Sequence, residues 1–466
     1  MHPALSAARE RYRLHDWAEV VAASELGRRI TEAHPGSDDL ARAWRIAGQI
    51  LHRGLIFKSP GRVNWRVAAR APVLSARQLQ AMHRLGRVVD RFLAAASAAL
   101  PISAWLRERL GFPVWPEEES LLSGAPLHRP AFIRLDLVPD HAGEFKLIEI
   151  QTVAGGLGIT QGLREVHGAH PALPGIAAGL EEALTLGYEN FCARTGVAAR
   201  PQPVVAAYLG HDDHFRHELL VLASAMSRVT MVVSPWVRVP GKPFPSLDDG
   251  RVPDVLFRFF DSPRLLGSSS AFKRLLVERV ADGGVCMINP WVDALDDKRL
   301  LAVLHDAGAR RHIGGAVTDS DWQLLLQAVP RTWRLGAAQG EALKGRPRSE
   351  RAVYLKKGRS LMSRGLVDGQ QENRGTFDAA VEKAVTEGEW VVQEAVRGAP
   401  WTFFYLDQEE GALREMLGYV RLTPVYTRAA DGEMRLADVC ITARPQRSRV
   451  HGATDACIAV PGGGVQ

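Results

Sequence analysis

Two segments of this chain space polar side chains so that they could act together. In FIRLDL, residues 132–137, and in KLIEIQT, residues 146–152, polar and apolar residues alternate. A β-strand sends every second side chain to the same face. Arg134 and Asp136 then share a face of one strand, and Glu149 and Gln151 share a face of the other. The intervening Asp-His-Ala-Gly has turn chemistry, so the two strands read as a hairpin. Paired, they gather one guanidinium, two carboxylates and one amide on a single surface. Oxygen ligands of this kind suit Mg²⁺, which takes one or two carboxylates and completes its shell with water and phosphate oxygens. An adjacent arginine would stabilise charge on a transferring phosphoryl group. The following AGGLG, residues 154–158, is a loop whose backbone amides could approach an anion closely. A solvated surface hairpin ending in a glycine turn has the same pattern, so both readings stand on spacing alone.

Further candidates lie toward the C-terminus. The chain holds 58 lysines and arginines, of which only nine are lysines, so the doublet Lys356–Lys357 stands out. In RAVYLKKGRSLMSRG the pleat sends these two lysines to opposite faces, so only one would meet a nucleotide phosphate; Lys357, next to the Gly358 loop, is preferred. In GEWVVQEAVRG, Gln393 and Glu394 end an apolar strand, where they could contact adenine and ribose, or could simply finish a core strand. Arg444 and Arg447 fall in a basic stretch with Asp438, Arg449 and His451 that could hold a phosphate or carboxylate, or form a solvated turn. Arg258 interrupts an apolar strand, where a charge needs a partner: a substrate carboxylate, Asp254 or Asp261. His211-Asp212-Asp213-His214 has metal-ligating residue types, but its place between a strand and a helix favours an N-cap and loop role.

These residues need elements to hold them. Residues 1–112 read as amphipathic helices, with apolar residues at three- and four-residue spacing. Beyond the hairpin, a helix is expected from about Gly175 to Cys192. Strand and helix patterns then alternate from 203 to about 310, including a helix over LDDKRLLAVLHDAG, which argues for a parallel sheet with crossover helices. From about 330 the units are shorter and increasingly extended. The fold class is therefore α/β (α+β).

The string Arg134-x-Asp136, then Glu149-x-Gln151-Thr152 and a glycine-rich stretch, resembles glutathione synthetase and glutathionylspermidine synthetase. NPWVDALDDKRLLAVLHD, VYLKKGRSLMSRG and WVVQEAV resemble that family's central segment, phosphate-covering lysine strand and hinge strand. The resemblance implies a circularly permuted ATP-grasp ligase, with a helical N-terminal region and a parallel-sheet pre-ATP-grasp substrate domain. It implies ATP and Mg²⁺ as cofactors, Arg134 as the catalytic arginine and Asp136, Glu149 and Gln151 as metal ligands. Lys356, Lys357, Gln393 and Glu394 would bind ATP, and Arg258, Arg444 and Arg447 are weaker substrate contacts. Four consecutive segments are expected: a helical region (1–112), a first ATP-grasp segment with the metal strands (113–200), a substrate domain (201–320), and a lid, hinge strand and C-terminal segment (321–466). The implied activity is carboxylate–amine ligation through an acyl phosphate; a thiol or carrier-protein acceptor, or a degenerate nucleotide-binding protein, are the alternatives. Two departures are visible. Gln151 stands where the family has asparagine, and GRSLMSRG lacks the family's loop glutamate, a third metal ligand.

Bulk properties narrow the field further. Hydrophobic residues make up 46% and charged residues 24% of 466, an ordinary globular balance. No stretch reaches the roughly 18 unbroken apolar residues that span a bilayer, and the N-terminus lacks a signal-peptide core, so a cytoplasmic protein without membrane partners is expected. The net charge of +6 comes from scattered arginines with no basic run, which argues against nucleic acid. Cys192, Cys286, Cys440 and Cys457 form no CxxC pair and are expected to be reduced and structural. The expected partners are a small-molecule carboxylate and an amine, with a homodimer left open.

Overall fold

The computed structural model of the chain describes residues 38–53, 65–124, 129–207, 216–233, 245–247, 250–259, 265–266, 271–360, 365–445, 450 and 455–462. The chain divides into two units, each built from separate stretches. The first comprises Met1–His83, Ala154–Phe259 and Gly398–Gln466, and the second Arg84–Val153 and Phe260–Arg397.

In the first unit, five strands follow the order Pro400–Asp407, Arg66–Ala68, Cys457–Ala459, Met434–Arg444 and Ala412–Arg428. Pro400–Asp407 also pairs antiparallel with Ala412–Arg428, which closes the five into a ring. The same unit holds the parallel sheet expected from the alternating strand and helix patterns. Its short apolar strands Thr230–Val233, Val204–Ala207 and Val255–Phe257 run side by side, and helix Arg216–Ala225 forms the crossover between the first two in sequence. Runs such as VVAA and VLF carry no polar alternation, as suits strands covered on both faces. Trp44, Ile50, Trp65, Val67, Leu163 and Ile458 belong to one core cluster of this unit. Close backbone approach dictates two of its glycines. A Cβ on Gly158 would sit 1.8 Å from the Glu218 carbonyl oxygen, and one on Gly179 would sit 2.3 Å from Thr427 Oγ1.

The second unit contains the hairpin Phe132–Pro139 and Phe145–Gln151. It also holds an antiparallel sheet in the order Leu366–Asp368, Val353–Lys357, Trp390–Glu394 and Thr332–Arg334. Helices Ala337–Leu343 and Arg374–Glu387 accompany that sheet, and Leu355, Phe377, Val381 and Val392 are buried in their common core. Asn373 caps the second helix by accepting from the Thr376 N–H at 2.9 Å.

The architecture is thus mixed α/β, with one refinement at the N-terminal end. Among described residues, 38–112 contain helices Asp38–His52, Ala76–Ala99 and Ala104–Leu110, but also the strand Arg66–Ala68, which no local periodicity announces. Its hydrogen-bonding partners are strands near residues 405 and 458, so its conformation is imposed by distant chain. The helix expected over LDDKRLLAVLHDAG is also shorter than its pattern. A 3₁₀ turn Asp293–Leu295 is followed by Arg299–Val303 alone, and the intervening Asp296, Asp297 and Lys298 turn to separate partners. No single helix among the described residues is long and apolar enough to cross a membrane.

Candidate active site

The hairpin register brings the four predicted side chains together. Arg134 stands opposite Gln151 and Asp136 opposite Glu149. The pairing shifts beside this point, with Leu137 opposite Leu147, so Ile148 is the extra residue of a β-bulge. Asn289 holds both open ends of the hairpin. Its Oδ1 accepts from the Ala131 and Phe132 N–H groups at 2.6 and 3.2 Å, and its Nδ2 donates to the Phe132 and Thr152 carbonyls, both at 2.7 Å. Asp296 fixes the same end by accepting from Thr152 Oγ1 at 2.6 Å and from the Thr152 N–H.

Within the group, Arg134 Nε donates to Asp136 Oδ1 at 3.1 Å, and Gln151 Nε2 donates to Glu149 Oε1 at 3.1 Å. Lys298 Nζ lies 3.2 Å from the same Glu149 oxygen and donates to the Ser360 carbonyl at 2.6 Å. Burial opposes ionisation of Glu149, but Lys298, Lys356 and Arg134 outweigh it and hold the carboxyl below the usual glutamate range. Glu149 is therefore an anion across the neutral range. Three cations, Arg134, Lys298 and Lys356, gather around the carboxylates Asp136 and Glu149, with a third carboxylate, Asp296, held on Thr152 at the same end of the hairpin.

The two adjacent lysines separate as the pleat requires. Lys356 is buried, and its Nζ donates to Gln393 Oε1 at 2.7 Å and to the Ile148 carbonyl, in the bulge, at 3.1 Å. Lys357 lies near Glu387 and Glu389, at 3.2 and 3.4 Å, and these carboxylates raise its pKa against the effect of partial burial. The structure thus brings Lys356 to the hairpin, whereas Lys357, preferred from its place beside the loop, is not brought there. Strand Trp390–Glu394 is bonded on both sides, to Val353–Lys357 and to Thr332–Arg334. The Glu394 and Ala395 N–H groups go to the Arg331 and Ala352 carbonyls at 2.9 Å each. Of the two residues expected at a nucleotide, Gln393 is buried within the sheet and Glu394 is exposed.

Residues missed in the sequence support this arrangement. Asp297, Arg299, Arg359 and Glu118 form a buried ion network. Arg299 reaches Asp297 Oδ2 at 2.6 Å, and Arg359 reaches it at 3.0 Å while also pairing with Glu118. Burial opposes charge on Asp297, but the two arginines keep its carboxyl below the usual range. Gly358 lies against this network, since a Cβ there would meet Asp297 Oδ1 at 2.7 Å and Arg299 Nε at 2.9 Å. The start of the GRS loop is thereby tied down. Asn289, Asp296, Asp297, Lys298 and Arg299 all fall in the NPWVDALDDKRLLAVLHD stretch, so the signal was present as a motif without assigned roles.

Other candidates belong to the first unit. Arg258 is completely buried, while Asp254, one partner considered for it, accepts from the Val204 N–H at 2.8 Å and lies 3.4 Å from Arg200. Arg444 is bonded through two nitrogens to Asp455, at 2.8 and 3.0 Å. Arg447 and the His211–His214 cluster lie outside the described residues. The AGGLG segment leads into helix Leu157–His167. Gly156 takes a left-handed φ of 87° at the N-cap of helix Leu157–His167, and Gly158 meets the Glu218 backbone. All four cysteines are free thiols. Among the described residues no three His, Cys, Asp or Glu side chains are grouped as a metal site, and the hairpin offers two carboxylates and an amide.

No family model matches the chain, and no curated protein matches it. Among solved structures, a glutathione synthetase-like effector from Globodera pallida, in its apo form, is similar with a TM-score of 0.56. The alignment covers 91% of this chain and 96% of that one at 14% identity. The chain has a glutathione synthetase-like fold. A structure described as "Putative gamma-glutamylcysteine synthetase" from Methylobacillus flagellatus aligns over 84% of this chain and 89% of its own at 12% identity, but with a TM-score of 0.35, too low to argue from. The likeness to the effector speaks to the fold, and the chemistry has to be argued from side chains.

Proposed function

We propose that this protein is an ATP-dependent ligase of the ATP-grasp type that joins a carboxylate to an amine. The observation that carries the reading is the meeting of Arg134, Asp136, Glu149 and Gln151 on one hairpin face with Lys298 and Lys356. A group of fixed cations, with carboxylates among them, suits phosphoryl transfer, which relies on positioning and electrostatics and needs no nucleophilic side chain. On this reading a substrate carboxylate oxygen attacks the γ-phosphorus of ATP and ADP leaves. The amine then attacks the acyl carbon of the resulting acyl phosphate, phosphate departs, and the amine loses its proton to solvent. Lys356 and Lys298 bind phosphate oxygens, and Arg134 stabilises the charge that gathers on the transferring group and on the tetrahedral carbon.

The donor set fits magnesium. Glu149 is held ionised, each carboxylate presents two oxygens, and one or two carboxylates with an amide oxygen are a normal protein share of a Mg²⁺ shell. Asp136, Glu149 and Gln151 would hold the ion, which when bound would neutralise phosphate charge. The partners on this reading are a small-molecule acid and an amine.

The test is ADP release with Mg-ATP across libraries of acids and amines. Glu149→Gln should lower turnover by at least about a hundredfold, near 2.7 kcal/mol in the barrier; undiminished turnover in that variant would refute the site. One observation favours a second reading. GRSLMSRG offers no carboxylate, so a nucleotide-binding protein without turnover would keep the same hairpin. It would show stabilisation by Mg-ATP and no ADP release with any acceptor. A thiol acceptor, by contrast, would give ADP release that depends on added thiol or carrier protein.

A further inference from the structure

Gln393 lies on the same sheet face as Lys356, diagonally across the ladder, because Gln393 pairs with Tyr354 and Val391 pairs with Lys356. On its other side it pairs directly with Thr332. All three side chains are buried, at 1%, 7% and 0% exposure for Gln393, Lys356 and Thr332. The hydrogen bonds run in one direction only. Thr332 Oγ1 donates to the Pro330 carbonyl at 2.7 Å, so toward Gln393 it is an acceptor and takes Nε2 at 3.1 Å. An ammonium can only donate, so the amide must turn its oxygen to Lys356, as it does at 2.7 Å. The amide orientation is thus fixed from both ends.

We propose that Gln393 is a positioning residue that seats the Lys356 ammonium against the Ile148 carbonyl without cancelling its charge. A glutamate at 393 would satisfy the ammonium but set a negative charge directly beside it. It would also need a donor from Thr332, whose proton is committed to Pro330. An apolar residue would leave the ammonium short of a buried acceptor. A neutral amide is the side chain that orients the cation and leaves its charge uncancelled for a phosphate-bearing ligand. The seating stands on hydrogen bonds alone; its purpose rests on the ligase reading.

Two measurements separate these parts. Reductive methylation read by peptide mass spectrometry reports how firmly Lys356 is held, with no nucleotide present. Gln393→Leu, and the near-isosteric Thr332→Val should the first fail to fold, are expected to speed Lys356 labelling severalfold relative to Lys357. Unchanged labelling in a folded variant overturns the seating. Calorimetric titration with Mg-ATP tests the charge argument. Gln393→Glu should weaken binding by about tenfold, equivalent to about 1.4 kcal/mol, and wild-type affinity in that variant overturns it. A wild-type protein that binds no Mg-ATP defeats the ligase reading instead, and the labelling result still decides the seating.

Discussion

Adjacent lysines on a strand are sorted by the pleat, and here the sorting has a consequence for substitution. Lys356 is buried against Gln393 and Ile148, while Lys357 is about one-third exposed beside Glu387 and Glu389. Lys356→Met should reduce Mg-ATP affinity by at least about tenfold, the loss of one charge-assisted contact. Lys357→Met should leave affinity unchanged and cost at most about 1 kcal/mol of stability, as for exposed pairs. Titration of both variants decides between them, and a larger loss from Lys357→Met would reverse the assignment. Alternation alone sufficed to predict that the two lysines diverge. It could not say which face was used, because that depends on a carbonyl in a hairpin more than 200 residues earlier. The same limit hid Lys298: its partner Glu149 is far away in sequence, and no local spacing marks it.

Elements were legible where periodicity was strong and opaque where a distant neighbour set the conformation. The hairpin and the parallel sheet were readable from alternation and from short apolar runs. The strand Arg66–Ala68 was not, since its ladder partners lie more than 300 residues away. The glycines of AGGLG show a related ambiguity, because a glycine required by a packed helix looks the same in sequence as one required by an anion. The two causes predict different costs. Gly158→Ala would drive a Cβ to 1.8 Å from the Glu218 oxygen, so a loss above about 4 kcal/mol is expected, in the tail of single-substitution effects. Gly156→Ala meets nothing within 4 Å and pays only for its left-handed φ, about 1–2 kcal/mol. Denaturant midpoints of the two variants should differ accordingly; equal midpoints would mean that the helices separate freely at Gly158.

At the scale of the whole molecule, stability should depend on pH through two groups of the first unit that pull in opposite directions, buried Asp438 and half-buried His167. Burial pushes the Asp438 carboxyl up to about 6, despite Arg164 at 3.2 Å. The folded state then holds a proton that the unfolded chain releases near 3.8. This contribution is fully present below about pH 4 and is lost as pH rises through 6. Burial lowers His167 to about 4 from 6.5, so its contribution is present above 6.5 and is lost as pH falls through 4. At about 1.4 kcal/mol per pH unit the two nearly cancel between pH 4 and 6. Asp438→Asn should therefore leave stability that rises with pH across this window, and His167→Gln stability that falls. Urea midpoints at pH 4, 5, 6 and 7 test this, and parallel profiles for the two variants would exclude it.

The bulge at Ile148 has a further implication for how such a site can vary. Because Leu147 pairs with Leu137 and Glu149 with Asp136, removing the single residue between them would leave every cross-strand pair of the hairpin in register. The Ile148 carbonyl that accepts from Lys356 would be lost, while Gln393 would stay in place. One codon thus separates the hairpin's own side-chain geometry from its connection to the lysine strand. A lineage, or an engineer, could disconnect the lysine while the four hairpin residues stayed aligned, and conservation of those four alone would not reveal that it had happened.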